Sequence, residues 1–333
     1  DDLITLEAGN NTVFGASGAD SITANNGTNV IDAGTENDTI TLNNGTNSLL
    51  AGTGADTITA ASGINTINAG DGDDTIELNN GTNSVVAGSG VDTITVASGT
   101  NTVDAGEGND LITLNGGNNT VFGVSGADSI TANNGTNVID AGTENDTITA
   151  ASGNNTITAG DGDDTINLNN GTNSVSAGSG VDTITVASGT NTVEAGEGDD
   201  LITLEAGNNT VFGASGADSI TANNGTNVID AGTENDTITA ASGNNTITAG
   251  DGDDTINLNN GTNSVVAGSG VDTITVANGT NVIDAGTEND TITANSGTNT
   301  ITAGEGNDTI NLSNGTNSVV AGAGVDTITV TSG

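Results

Sequence analysis

The sequence predicts an all-β fold, a parallel β-solenoid with 18 residues per turn, from two observations. The 333 residues divide into 37 consecutive blocks of nine, without insertion or deletion. The second residue of successive blocks is alternately Asp and Asn, so one Asp recurs every 18 residues. A repeat this regular indicates an array of stacked supersecondary units. We therefore predict two parallel sheets, about 18.5 turns, and one domain, a single uninterrupted array over residues 1–333.

The strands follow from the pattern inside each block, which is x-(Asp/Asn)-x-(Ile/Val/Leu)-x-apolar-x-x-Gly. Apolar and polar positions alternate with period two and then meet a glycine-rich corner, which is typical of short strands joined by tight turns. The fourth position is Ile in every Asp block, as in Ile4 and Ile22, and Val, Ile or Leu in every Asn block. These side chains are the predicted core, stacked at a strand spacing of about 4.8 Å.

Composition excludes several classes of function. The chain has no Lys, Arg, His, Cys, Trp or Tyr, only three Phe, and 43 acidic residues. Phosphate binding depends on Lys and Arg, so nucleic acid is excluded as a partner. No apolar run is long enough for membrane insertion. We expect no enzyme, because a regular rod offers no unique cleft in which the pKa values of two carboxyls could be driven apart.

The glycine-rich corner before each Asp carries the chemistry. Ala69-Gly70-Asp71-Gly72-Asp73-Asp74 is one example, and Ala87-Gly88-Ser89-Gly90-Val91-Asp92 is another. These corners resemble the G-G-x-G-x-D-x-U-x nonapeptide of the RTX calcium-binding β-roll family, with Ala in place of the first Gly. The resemblance implies Ca2+ between stacked corners, bound by the Asp carboxylate and by backbone carbonyls.

Charge counting supports this expectation independently, since 34 of the 43 acidic residues lie in or beside these corners. Like charges about 4.8 Å apart repel by roughly 1 kcal/mol per pair even in water, and a column of divalent ions removes that repulsion. The alternative of a merely solvated acidic edge remains open. The expected metal ligands are Asp2, Asp20, Asp38, Asp56, Asp74, Asp92, Asp110, Asp128, Asp146, Asp164, Asp182, Asp200, Asp218, Asp236, Asp254, Asp272, Asp290, Asp308 and Asp326.

The alternate corners have Asn in place of Asp and no second Gly, as in Asn43-Asn44-Gly45-Thr46-Asn47. Stacked Asn side chains can form a hydrogen-bonded amide ladder without charge. We therefore predict metal on one edge only.

A line of apolar residues recurs at the fifth position of the Asn blocks. Its members are Phe14, Leu50, Val86, Phe122 and Phe212. A line of exposed apolar side chains indicates a contact surface, although scattered apolar residues on a surface need no explanation.

The expected function is structural: an extracellular, calcium-stabilised fibre or surface-layer component at the cell surface or in the matrix. The chain is similar over its whole length to the calcium-binding nonapeptide surface fibrils of gliding filamentous cyanobacteria, the oscillin type. The repeat begins and ends without a capping motif, which favours copies of itself as partners, end to end and possibly side to side. Alternatives are an ice-binding segment, because Thr39/Thr41 and Thr57/Thr59 form outward Thr pairs, or an adhesin stalk of an RTX-type protein.

Overall fold

A computed structural model describes residues 1–331. Within these residues the chain forms 37 β-strands and no helix, and so contains no helical segment suited to crossing a membrane. The chain divides into two compact units, Asp1–Ile166 and Asn167–Gly333. That residues 1–333 form a single domain stays a prediction.

Asp blocks and Asn blocks form strands of different length. Each Asp block contributes a four-residue strand that starts directly after the Asp. These strands are β1 (Leu3–Leu6), β3 (Ser21–Ala24), β5 (Thr39–Leu42), β7 (Thr57–Ala60), β9 (Thr75–Leu78), β11 (Thr93–Val96), β13 (Leu111–Leu114), β15 (Ser129–Ala132), β17 (Thr147–Ala150), β19 (Thr165–Leu168), β21 (Thr183–Val186), β23 (Leu201–Leu204), β25 (Ser219–Ala222), β27 (Thr237–Ala240), β29 (Thr255–Leu258), β31 (Thr273–Val276), β33 (Thr291–Ala294), β35 (Thr309–Leu312) and β37 (Thr327–Val330).

Each Asn block contributes a longer strand, of eight residues in all but the first, which contains the Asn and continues into the next corner. These strands are β2 (Asn10–Phe14), β4 (Thr28–Thr35), β6 (Thr46–Thr53), β8 (Ile64–Asp71), β10 (Thr82–Ser89), β12 (Thr100–Glu107), β14 (Asn118–Ser125), β16 (Thr136–Thr143), β18 (Asn154–Asp161), β20 (Thr172–Ser179), β22 (Thr190–Glu197), β24 (Asn208–Ser215), β26 (Thr226–Thr233), β28 (Asn244–Asp251), β30 (Thr262–Ser269), β32 (Thr280–Thr287), β34 (Thr298–Glu305) and β36 (Thr316–Ala323).

Both units are parallel β-solenoids. In Asp1–Ile166 the odd strands β1 to β17 pair in chain order in one parallel sheet, and the even strands β2 to β18 pair in another. In Asn167–Gly333 the odd strands β21 to β37 and the even strands β20 to β36 do the same. Every pair joins residues 18 apart, as in Ile40↔Ile58. The predicted solenoid with two parallel sheets is confirmed.

The core is thin and built as the repeat predicts. On the odd strands the fourth and sixth residues of the block face inward, as in Ile40 and Leu42, both fully buried. On the even strands Asn, the aliphatic residue and Ala face inward, as in Asn47, Leu49 and Ala51. Buried polar side chains therefore form part of the interior on both edges, and their bonding decides the stability of the fold.

Candidate metal centre

The Asp of each repeat lies at the end of its corner, immediately before a four-residue strand. Its backbone N–H donates to Oδ1 of the Asp one turn further along: Asp38 donates to Asp56 over 2.7 Å and Asp56 to Asp74 over 2.7 Å. The same bond recurs in the other unit, from Asp218 to Asp236 over 2.8 Å. The predicted ligands thus form a hydrogen-bonded column within each unit, which we call the Asp column.

The Asp column is buried, which the sequence alone does not indicate. Asp74, for example, is only 1% exposed, whereas Asp2 is exposed and Asp326 is half-buried. The second carboxylate oxygen, Oδ2, is buried and accepts no hydrogen bond in Asp20, Asp38, Asp56, Asp74, Asp92, Asp110, Asp128, Asp146, Asp200, Asp218, Asp236, Asp254, Asp272, Asp290 and Asp308. A buried carboxylate oxygen without a partner is costly, because it has lost its hydration and gained nothing in return.

Burial also changes the acidity of the column. Desolvation raises the pKa of Asp74, Asp128, Asp236 and Asp272 to about 7, and neighbouring column carboxylates raise these pKa values further. The N–H bond from the preceding turn opposes the shift, since it favours the charged form. The column therefore needs a positive partner, either a proton or a cation, to remain inside the fold near neutral pH.

The atoms around the column suit a hard divalent cation. A Cβ atom built on Gly123 would overlap both the carbonyl oxygen of Ala141 and Oδ2 of Asp128, so a carbonyl and a carboxylate converge from successive turns. Among the described residues no three His, Cys, Asp or Glu side chains cluster as a metal site. Ca2+ takes six to eight oxygens, so a Ca2+ ion at the column would need backbone carbonyls of the corners as ligands beside the Asp carboxylates.

Glycines hold the corners in the conformation that brings these carbonyls close. Gly88 and Gly90 have φ values of 124° and 131°, in the region that favours glycine. A Cβ on Gly88 would also overlap the carbonyl oxygen of Gly70, one turn earlier. This corner thus stacks backbone on backbone, with no room for a side chain at Gly88.

The opposite edge needs no ion. Asn47 Nδ2 donates to Oδ1 of Asn65 over 2.8 Å, and Asn65 Nδ2 donates to Oδ1 of Asn83 over 2.7 Å. Asn65 Nδ2 also lies 3.3 Å from the carbonyl oxygen of Ser62, within the same corner. These stacked amides, which we call the Asn ladder, satisfy one another's hydrogen-bonding groups, as the sequence predicted. The contrast with the Asp column supports metal on one edge only.

Four corners have Glu in place of the second Gly: Glu36, Glu144, Glu234 and Glu288. All four keep a left-handed backbone, with φ of 73° to 75°. Three of them use the carboxylate as an acceptor, as when Glu144 Oε2 accepts the N–H of Gly126 over 2.8 Å and the Thr143 hydroxyl over 2.7 Å. Elsewhere a backbone carbonyl accepts that N–H, as Glu107 O does from Gly90.

These hydrogen bonds of the Glu side chains were not predicted from the sequence. The Thr143 hydroxyl, followed by the Gly126 N–H, lowers the pKa of Glu144. The ionised Glu144 in turn raises the pKa of Asp128 and Asp146 in the column. These corners therefore add negative charge beside the predicted site.

The predicted line of apolar residues lies on the surface of the even sheets. Phe14 is 72% exposed, Phe122 39% and Phe212 42%, and Leu50 and Val86 are similarly exposed. In register along the sheet, Phe14 pairs with Asp32, and Asp32 pairs with Leu50. The line is thus interrupted: one polar or acidic residue separates each apolar member from the next between Phe14 and Phe122, and four separate Phe122 from Phe212.

Comparison with known proteins places the chain in a family. A profile of four copies of the RTX calcium-binding nonapeptide repeat matches residues 1–22, 23–58, 50–85, 59–94, 77–112, 95–130, 113–148, 149–184, 185–220, 221–256, 239–274, 258–292, 275–310 and 293–328. No curated protein matches the chain. A solved structure described as a hyperactive, Ca2+-dependent, β-helical antifreeze protein from an Antarctic bacterium is 22% identical over 80% of each chain, with a TM-score of 0.47. Ca2+ is the cofactor that this repeat binds, and the chain belongs to the RTX calcium-binding nonapeptide-repeat family.

Proposed function

We propose that this protein is a structural extracellular element, a calcium-stabilised β-solenoid that builds a fibre or a surface layer. The observation that carries the proposal is the Asp column, with its buried Oδ2 atoms that lack hydrogen bonds. When its carboxylates are ionised, a buried column of this kind is stable only with a bound cation, and the stability of the fold then depends on the concentration of that cation in solution.

The column aspartates, together with the carbonyls of the glycine-rich corners, are the residues that would hold the ion. Ca2+ supplies charge neutralisation and cross-links successive turns. Extracellular calcium modules bind their ion with dissociation constants of about 0.1–1 mM, which matches the calcium concentration outside cells. Such a protein folds where calcium is abundant, which supports an extracellular location at the cell surface or in the matrix.

The regularity of the molecule supports a structural role rather than catalysis. Each turn repeats the same Asp column, the same Asn ladder and the same aliphatic core. Such repetition along the array is typical of a structural element rather than of a single catalytic centre. A non-enzymatic function is therefore part of the proposal.

Copies of the same chain are the proposed partners. The 18-residue register repeats from turn to turn, as in Ile292↔Ile310, so a turn of a second copy could pair edge to edge with a turn of the first. Side-to-side association would use the line of apolar residues and would require cations between its carboxylates.

Electron microscopy and light scattering of the purified chain, in roughly millimolar Ca2+ and then in excess chelator, test the proposal. We expect elongated particles that grow with protein concentration in calcium and disperse in chelator. Substituting Phe122→Ser should reduce bundling without reducing length. A stable monomer at high concentration in calcium would overturn the assembly proposal, and particles unchanged by chelator would overturn the role of calcium.

An ice-binding role is the second candidate, supported by the register of the odd sheets. Thr39, Thr57, Thr75 and Thr93 stand in line on successive strands, facing outward. A second outward line of Thr includes Thr59. Glu77 pairs with Thr59 in register and interrupts this second line. Thermal hysteresis in calcium tests this role, and its absence would leave the structural role alone.

A further inference from the structure

The three Phe residues of the chain occupy the same position of the repeat, and the same change of sequence follows each of them. Phe14, Phe122 and Phe212 are each followed by Gly and then by Ala or Val, whereas the usual order at these two positions is Ala and then Gly. The aromatic side chain and the reversed pair therefore occur together in all three blocks. No other block contains either feature.

The reversal moves a side chain from the inside of the sheet to the outside. Val124 follows Gly123 and adopts a φ of 83°, which is unfavourable for a residue with a branched side chain. Val124 is also exposed, on the same face of strand β14 as Phe122. Gly123 cannot hold a Cβ, because the atom would overlap Ala141 O and Asp128 Oδ2. The chain thus accepts an unfavourable backbone to place an apolar group beside each Phe.

Glycines on the neighbouring strands leave a groove beside this apolar pair. Val124 pairs with Gly106 on one side and Gly142 on the other, and neither carries a side chain. In the second unit the corresponding groove has a volume of about 400 Å³. Its lining consists of Glu194, Phe212, Ala214, Asp230 and Gly232.

Each of the two central Phe rings lies between two carboxylates. Phe122 pairs in register with Asp104 and Asp140, and Phe212 pairs with Glu194 and Asp230. The in-register pairing places the acidic residues on the strands that flank each Phe, at a strand spacing of about 4.8 Å. The face of an aromatic ring is the negative part of its quadrupole, so the ring and the flanking carboxylates together give this part of the surface a negative potential.

We propose that these grooves bind cationic side chains, preferably arginine, of a partner protein. A guanidinium group stacks on an aromatic face and donates hydrogen bonds to carboxylates on both sides, which a compact ammonium does less well. These 333 residues contain no Lys or Arg, so a second copy of them cannot supply the cation, and the occupant is a different protein. A net charge of −43 attracts such a partner from a distance.

Proton NMR of the calcium-saturated chain tests the proposal directly, since three Phe rings are the only aromatic signals. The probe is N-acetylarginine amide, and the neutral isostere N-acetylcitrulline amide is its control. We expect saturable shifts of the Phe122 and Phe212 rings with arginine and about five-fold or more weaker binding of citrulline. Equal shifts with both probes, or none with arginine, would overturn the proposal.

Two charge-matched variants separate a local site from the overall negative charge. Asp230→Asn should weaken arginine binding at Phe212 by about two- to ten-fold and leave Phe122 unchanged. Asp284→Asn removes the same charge from the same column of the sheet, beside Val266 and Thr302, and should leave both rings unchanged. Equal weakening by the two variants would show unspecific attraction and overturn the proposal.

Choline distinguishes a protein partner from a lipid headgroup, because its quaternary ammonium has no N–H to donate to the carboxylates. Arginine should bind more tightly than choline. The reverse order would overturn the assignment to a protein side chain. Circular dichroism of each variant in calcium verifies that the β-structure is intact.

Discussion

The backbone N–H of Asp74 donates a 2.8 Å hydrogen bond to Oδ1 of Asp92, one turn further along, while Oδ2 of Asp92 is buried and accepts no hydrogen bond. One oxygen of the carboxylate thus holds two turns in register, and the other remains available to a cation. This division of roles makes the fold of the protein sensitive to calcium, to acid and to single substitutions at the corners.

Removal of calcium should unfold the protein at pH 8. The buried carboxylates would then be charged and close together, and the thin core cannot offset their repulsion. Circular dichroism should change from a β-sheet spectrum to that of a disordered chain in excess chelator, and calcium should restore the first spectrum. A β-sheet spectrum that persists in calcium-free buffer at pH 8 would contradict this expectation.

Acid should replace calcium in part. The pKa values of Asp74 and Asp236 are raised to about 7 in the folded state, above the ordinary Asp value. Because the folded-state pKa is raised, binding of protons to these carboxyls stabilises the folded state. This stabilisation is complete below the unfolded-state pKa of about 4 and is lost as the pH rises towards 7. Calcium-free protein, prepared by dialysis, should therefore gain thermal stability between pH 7 and pH 4. Constant or falling stability over that range would count against protonation of the column.

Asp92→Asn should have opposite effects with and without calcium. The amide keeps an Oδ1 acceptor for the N–H of Asp74 but removes a buried charge. In calcium we expect fewer bound ions by calorimetry and a lower melting temperature. In calcium-free buffer the same variant should be more stable than the original chain, because one buried charge is gone.

The matched variant on the opposite edge is Asn83→Ala. It removes the amide that donates to Asn101 and accepts from Asn65, both over 2.7 Å. The buried groups left without partners should cost about 1–3 kcal/mol of unfolding free energy. Calcium stoichiometry should not change, and a loss of bound calcium would contradict metal on one edge only.

Gly88→Ala should destabilise the protein severely. The φ of Gly88 is 124°, and the added Cβ would overlap the carbonyl oxygen of Gly70. The unfavourable backbone alone costs about 1–2 kcal/mol, and the overlap adds to it. The control is Gly116→Ala, at a position where φ is ordinary and other repeats carry Ser62 or Ser98.

The double variant Ala87→Gly with Gly88→Ala gives this prediction a second test. It reproduces the order found at Gly123 and Val124, where the corner accepts a side chain at the second position. Chemical denaturation should show the double variant to be more stable than Gly88→Ala alone. If the two are equally unstable, the reversed pair does not relieve the overlap.

Much of the fold could be predicted from the sequence, because the repeat specifies it many times over. Ile40, Ile58 and their equivalents recur every 18 residues, so any other register would expose the core. The Asn ladder was predictable for the same reason, since identical amides at identical positions must meet once the turns stack.

The unequal strand lengths could not be predicted from hydrophobic periodicity. Gly88 pairs in register with Gly70, and Ser89 pairs with Asp71, so the even strands continue into the corner. Glycine has no side chain, so it adds nothing to the alternation of apolar and polar residues. The alternation therefore ends in the sequence before the backbone pairing ends in the structure. The burial of the Asp column could not be predicted either, because an Asp directly before a strand is typical of an exposed turn.

The 18-residue register determines how such an array can change its length by recombination. Residues 118–175 recur at 208–265 with a single difference, Val124 against Ala214, at an offset of 90 residues, which is five whole turns. Duplication or loss of whole turns leaves every Asp above an Asp and every Asn above an Asn. A gain or loss of nine residues would instead place charged carboxylates in the Asn ladder and amides among the calcium ligands. Genes for such arrays should therefore lengthen and shorten in steps of 18 codons, never nine.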